Sequence, residues 1–319
     1  MSRPMSLLSL LCLILPLAAG AQEAKSVAIT QIVEHPSLDA CRQGVEDGLA
    51  EAGWKVGENL DWSYESAQSN PVTAVQVARK FVGQAPDVIV AISTPSAQAV
   101  AAATHDIPLV FSAVTDPLEA KLVANLEHPG GNITGTTDAL PLERHLDLIA
   151  RISPAAKRIG VLYNPGEVNS VATVERLKAL APDRGLTIVE GAAPRTADVL
   201  AAARSLVGRV DALYVPTDNT VVAALEGVVK TGYDARLPVY TADTDSVERG
   251  ALAAVGFNYY DVGRQTGAMV ARILAGEAPG DIPVAAVEKT ELHLNLRSAE
   301  RMGVTVPEAV VAEAARVIR

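Results

Sequence analysis

Several things that would announce a chemistry are scarce or missing in this 319-residue chain. Cysteine occurs only at Cys12 and Cys41. Cys12 falls in an apolar N-terminal leader, so the chain left after leader removal has one thiol and no internal disulfide. Aromatic residues make up 4%, which argues against a sugar site built from stacked rings. Basic residues are outnumbered by acidic ones, 27 to 37, which removes the basic patch that nucleic acid needs. Beyond the leader there is no apolar run long enough to span a bilayer. No Gly-x-Gly-x-x-Gly follows the first strand, and there is neither a phosphate-binding P-loop nor a Gly-x-Ser-x-Gly elbow. The five histidines, His35, His105, His128, His145 and His293, are scattered without metal-ligand spacing. No catalytic constellation, metal or cofactor is therefore expected.

What is present starts with a leader. Arg3 supplies a positive n-region, residues 7–17 are apolar, and Ala19-Gly20-Ala21 is a small-x-small cleavage site. This is the pattern of a secretory signal peptide removed after Ala21, which predicts an exported, periplasmic chain. Cys41 shares a helical face with Leu38, Val45 and Leu49 and reads as a small buried hydrophobe.

After the leader, short apolar runs alternate with stretches of helical spacing to the end of the chain. Residues 88–92 form a wholly apolar run, the mark of a strand buried on both faces. Ser93-Thr94-Pro95-Ser96 breaks it, and an Ala-rich helix follows, opening with residues that cap well. Strands are expected over residues 26–33, 59–66, 109–114, 133–137, 159–163, 186–190, 212–216, 238–241, 252–257 and 292–296. Helices are expected between them, including one opened by Thr115-Asp116-Pro117, one over residues 221–231 and a last one over 307–318. Such alternation implies an α/β protein with parallel sheets covered on both faces, and two successive runs imply two similar lobes.

In open parallel sheets, ligands bind beyond the carboxyl ends of the strands. Polar residues recur at that place: Glu34 and His35, Ser93 to Ser96, Thr115 and Asp116, Asn164 to Ser170, Thr217 to Thr220, and Asp243 to Ser246. Two facing lobes would close these loops around one small ligand. Asp218, Asp243 and Asp245 are read as helix caps plus one amine-binding carboxylate rather than as a catalytic pair. His35, before Pro36, reads as a turn residue, with cleft lining as the alternative. Trp54 and Trp62 read as packing residues.

The segments TQIVEHPSLDACRQGVEDGLAEAG, IVAISTPSAQAV, PLVFSAVTDPLEAKLV, GVLYNPGEVNS, YVPTDNTV and NYYDVGRQTG resemble the ABC-transporter substrate-binding proteins of the tryptophan/tyrosine-binding type. The resemblance spans residues 26–306. It implies the type I periplasmic-binding-protein fold: two Rossmann-like lobes with parallel sheets, joined by three crossovers, with ligand in the cleft and no catalysis. The lobes would be residues 22–140 with 257–280, and residues 141–256 with 281–319. The implied partners are an amino-acid-like ligand and an ABC permease, with the receptor a monomer. Carried over from amino-acid receptors of this fold, the ligand carboxylate would be held by Thr94 and Ser96 with Thr115. The ammonium would be held by Asp218, with Asn219 or Asp243 beside it. Asn164, Glu167, Asn169 and Ser170, with residues around Glu34 and Phe257, would then line the side-chain pocket. A peptide, purine or sugar ligand, a sensing module for a signalling receptor, and a secreted α/β enzyme are the alternatives.

Overall fold

The computed structural model describes residues 24–287 and 290–319; the leader expected over residues 1–21 lies outside them. The apolar runs become strands and the helical-spacing runs become helices. The first set is β1 (Lys25–Gln31), α1 (Pro36–Glu51), β2 (Leu60–Ser66), α2 (Pro71–Gln84), β3 (Val88–Ile92), α3 (Thr94–Ala101), β4 (Leu109–Val114) and β5 (Ile133–Thr137). The second set runs α4 (Leu142–Ile152), β6 (Arg158–Tyr163), α5 (Val168–Leu180), β7 (Thr187–Ala192), α6 (Val199–Leu206), β8 (Ala212–Val215), α7 (Asn219–Ala223), α8 (Leu225–Ala235), β9 (Val239–Thr241), α9 (Asp245–Glu248) and β10 (Ala253–Gly256). The chain returns through α10 (Tyr259–Leu274) and β11 (Ala285–Ala286). It ends with β12 (Glu291–Asn295), α11 (Leu296–Arg301), α12 (Glu308–Glu313) and β13 (Arg316–Ile318).

Two sheets result. The first has the order β11-β5-β4-β3-β1-β2, parallel throughout. The second has the order β13-β12-β10-β9-β8-β6-β7. The chain passes between sheets after β5, after β10 and after β11. Strands β3, β4 and β8 are buried along their whole length, because helices cover both faces of each sheet. Each sheet has its own apolar core.

The structure departs from the sequence reading at several points, each with a local cause. Strand β12 runs antiparallel to β10. It is reached from the other sheet and not through a helical crossover, so nothing forces it parallel. The last helix stops at Glu313, and residues 316–318 form β13 against His293–Asn295. Arg-Val-Ile pairs there with an edge that would otherwise stay bare. No helix follows Thr115-Asp116-Pro117. The chain makes a turn that ends where Lys121 adopts a left-handed φ of 57°. The helix expected over 221–231 is broken at Ala224 into α7 and α8. Finally, β11, for which no strand was expected, pairs with Thr136–Thr137 in the first sheet.

Helix α10 belongs with the first sheet because of a glycine seam. A Cβ on Gly263 would lie 1.9 Å from the Cys41 carbonyl oxygen, and one on Gly44 would lie 2.1 Å from that of Tyr260. Gly48 and Gly267 face backbone at 2.6 and 2.5 Å. Helices α1 and α10 thus meet backbone to backbone. Thr266, on α10, adds hydroxyl bonds to Ser112 at 2.6 Å and Thr136 at 2.7 Å beneath β4 and β5. Cys41 is fully buried beside them, as expected, with Sγ 3.1 Å from Ser112 Oγ. Gly263→Ala should force the helices apart and cost about 1–3 kcal/mol or more, the usual penalty of overpacking. Urea unfolding of the variant checks this; an unchanged midpoint would mean that the seam yields freely.

Candidate functional site

The carboxyl ends of both sheets face one shared cavity, the place where ligands bind in open parallel sheets. From the first lobe come His35, Ser37 and Leu38 at the start of α1, Thr94 at the start of α3, Ala113 and Thr115 at the end of β4, and Asp138 just past β5. The second lobe supplies Asn169 on α5, Thr217, Asp218, Asn219 and Val222 around the start of α7, and Asp243 past β9. Tyr259, the first residue of α10, completes the wall.

Local chemistry sets each of these groups. His35 caps α1: its Nδ1 accepts the Leu38 N–H at 3.4 Å, and Pro36 follows at the first helical position. Burial, with Arg249 as a secondary cause, pulls its pKa down to about 3, so the ring is neutral and carries its proton on Nε2. Asn258 caps α10, which is pinned by the glycine seam, and so holds Tyr259 in place. The Tyr259 hydroxyl donates to Asp138 Oδ2 at 2.6 Å. Asp138 Oδ1 is buried and has no hydrogen-bond partner among the described residues, and the Thr115 hydroxyl on the same wall favours the charged carboxylate. Burial pushes the Asp138 carboxyl above its ordinary range.

Asp218 is fully buried. Its Oδ1 accepts the Val221 N–H at 2.7 Å as the cap of α7, and its Oδ2 accepts the Asn164 N–H at 2.5 Å. Burial first, and the negative Glu167 second, raise its pKa to about 8. Asp243 accepts from Ser246 N–H and Ser246 Oγ, and reaches across to the first lobe, where Ser37 Oγ donates to it at 2.9 Å. A second bridge joins Thr115 Oγ1 and Thr217 Oγ1 at 3.3 Å.

Among the described residues, no lysine or arginine lines this cavity, while three buried carboxylates do. Donors at the opposite side come from α3. Its first turn receives no side-chain cap among the described residues, and Ser93 before it is held at φ 81°. Ala113, facing the cavity at an irregularity in β4, sits at φ 54°. Both are unfavourable for residues with a Cβ, and such strain gathers where a ligand is gripped. The arrangement can hold a cation on Asp138 and Asp218, a small anion at the α3 end, and an apolar body against Leu38, Ala113, Val222 and Tyr259.

Of the residues expected from the sequence, the structure brings Thr94, Thr115, Asn169, Asp218, Asn219 and Asp243 to the cavity. Ser96 and Ser170 are buried just behind it. Asn164 and Glu167 line a neighbouring space, where Glu167 takes hydrogen bonds from Asn219 and Thr220 and so holds the α7 turn. Asp116 is exposed and closes its own turn onto Leu118 and Glu119 N–H. Glu34 is exposed and takes the Tyr64 hydroxyl at 3.1 Å, and Phe257 belongs to the first core. Sequence reasoning missed Asp138, although it stands directly past a strand as the other candidates do. It also missed Tyr259, which stands three residues past β10 as Asp218 stands three past β8.

Two α/β lobes with their strand ends facing a shared cavity are the architecture of a solute-binding protein. The sequence pattern of the ABC transporter substrate-binding proteins matches residues 26–318, and the chain belongs to that family. It is 42% identical over 275 residues to the tyrosine-binding protein of Clostridioides difficile strain R20291, covering 86% of this chain and 80% of that one. Its fold matches an ABC domain from Streptococcus pneumoniae solved in complex with L-Trp at a TM-score of 0.90 and 36% identity, over 93% of this chain and 100% of that one. Against the ligand-free, open structure of a substrate-binding protein with adhesive properties from Clostridium difficile, the TM-score is 0.69 at 42% identity, over 92% and 99% of the two chains. The protein is thus a substrate-binding receptor of an ABC transporter, of the type I periplasmic-binding-protein fold, and not an enzyme.

Proposed function

We propose that this protein is the extracytoplasmic receptor of an ABC importer for an aromatic amino acid, which it binds by closing its two lobes. The observation that carries the reading is the cavity itself, with three buried carboxylates, an unpaired Asp138 oxygen and no lysine or arginine among the described lining residues. An ammonium supplies the missing positive charge, held by Asp138 and Asp218 with Asn219 and Asp243 nearby. The ligand carboxylate faces Thr94, Thr115 and the opening turn of α3, with Ser96 behind. The slot of Leu38, Ala113, Val222 and Tyr259 takes the ring. The ligands of the tyrosine-binding relative and of the L-Trp complex support this class.

Closure is supported by the two bridges between lobes, Ser37 to Asp243 and Thr115 to Thr217. It is supported also by the closer match in shape to the L-Trp complex than to the open, ligand-free structure. The moving bodies would be residues 24–140 with 257–286, and residues 141–256 with 290–319, hinged at the three crossovers. In this reading the receptor is a periplasmic monomer that delivers its ligand to a permease. Among the described residues, no helix is long and apolar enough to cross a membrane.

Solution scattering tests the proposal. Exported protein, whose intact mass should correspond to a chain beginning at Gln22, should show a smaller radius of gyration with saturating tryptophan or tyrosine than without. Identical curves under demonstrated saturation would refute closure, and failure of both amino acids to bind would refute the ligand class.

A further inference from the structure

Asn169 stands on the first turn of α5, 4% exposed, where the cavity meets a second space between the lobes. Its Nδ2 donates to the Thr217 carbonyl oxygen at 3.0 Å and to Ser170 Oγ at 3.4 Å. A carbonyl can only accept, so the amide nitrogen must face Thr217 and the orientation of the side chain is settled. Its Oδ1 therefore lies on the other side, buried and without a hydrogen-bond partner among the described residues. Asp138 Oδ1 is the other unpartnered acceptor on the cavity wall. A carboxylate outcompetes a neutral amide oxygen for an ammonium, so the cation belongs to Asp138 and Asn169 is left for a neutral donor.

We infer that Asn169 reads a hydrogen-bond donor on the ligand's side chain, so that the cavity selects an aromatic amino acid with a ring O–H or N–H over one without. The inference rests on the amino-acid reading above and specifies which members of that class are accepted. A tyrosine phenol and a tryptophan indole each offer one such donor, and a phenylalanine ring offers none. With phenylalanine bound, Oδ1 would stay desolvated and unpaired. A site built to bond a ligand group rejects the analogue that lacks it far better than an apolar slot rejects a missing methylene. One neutral hydrogen bond left unmade corresponds to roughly ten- to a hundredfold in affinity.

Calorimetry on the full exported protein tests this with four ligands: tyrosine, phenylalanine, tryptophan, and benzothienylalanine, in which sulfur replaces the indole N–H at nearly the same shape. The wild type should bind tyrosine over phenylalanine, and tryptophan over benzothienylalanine, each by roughly ten- to a hundredfold. Asn169→Ala should compress both ratios to within about threefold. A purely structural role for Asn169 would weaken all four ligands alike and leave the ratios standing, which would overturn the inference. Equal binding of phenylalanine and tyrosine by the wild type would overturn it without any variant. Absence of binding by all four would overturn the amino-acid reading itself, and this inference with it.

Discussion

Asp138→Asn should fold as well as the wild type and lose about 3–5 kcal/mol of ligand affinity, or roughly two to nearly four orders of magnitude. The substitution is clean because of how the carboxylate is held. Asp138 Oδ2 accepts the Tyr259 hydroxyl, and its Oδ1 is unpartnered among the described residues. An asparagine can keep its oxygen toward Tyr259 and turn its NH2 toward the cavity. Shape and folding contacts survive while the negative charge goes, and a ligand ammonium would then be buried against a donor. The obvious alternative, Asp218→Asn, is less clean. Both Asp218 oxygens accept backbone N–H groups, from Val221 and Asn164, and an amide can satisfy only one of them. The other N–H would be stranded at a cost of about 1–3 kcal/mol in the fold itself, so a loss of binding there would have two causes. Calorimetry and thermal unfolding of Asp138→Asn separate them. Wild-type affinity for the preferred amino acid in this variant would remove Asp138 from the ammonium site.

Ligand stabilisation should grow with pH up to about 8, because the empty cavity holds protons that a bound ammonium displaces. Burial and the charge of Glu167 raise Asp218 from the ordinary 3.8 to about 8, and burial raises Asp138 as well. The folded, ligand-free protein thus binds these protons more tightly than the unfolded chain. Asp218 alone makes stability greatest in acid and declining as pH rises from about 4 to about 8, by at most about 1.4 kcal/mol per pH unit, and Asp138 adds to the decline in the same direction. An ammonium in the cavity supplies the compensating charge, so the ligand-bound protein is spared much of that decline. Thermal unfolding at pH 5 to 8, with and without tryptophan, should show a melting temperature that falls with pH for the empty protein and a widening gap for the complex. Binding should also release protons, seen as a dependence of calorimetric heat on buffer ionisation enthalpy. A gap that narrows with pH, or heats independent of buffer, would mean that Asp138 and Asp218 already carry their charge before ligand arrives.

Sequence reasoning could place the candidate site at strand ends because parallel sheets leave few choices. Residues after an apolar run stand at its carboxyl end, and in both lobes those ends turn toward the same side. That rule brings Thr94, Thr115, Asp218 and Asp243 to the cavity. It does not separate a residue facing the cavity from one that satisfies its own loop. Asp116 and Asp218 each follow a strand and a threonine, yet Asp116 closes an exposed turn while Asp218 is sealed between Val221 and Asn164. The difference lies in what packs on top of each.

The amino-acid sequence by itself determined the α/β alternation, the two lobes and the family. These follow from periodicities and motifs within a few residues of one another, where backbone geometry leaves little freedom. Only the tertiary structure decided which polar groups share a cavity. Tyr259 reaches Asp138 across 121 positions of sequence because glycines on α1 and α10 let two backbones touch. Ser37 meets Asp243 across 206 positions because the start of α1 and the loop after β9 face each other across the cavity. Whether a buried oxygen such as Asp138 Oδ1 or Asn169 Oδ1 remains unpaired depends on every neighbour that three passages of the chain bring to it, and no local pattern encodes that sum.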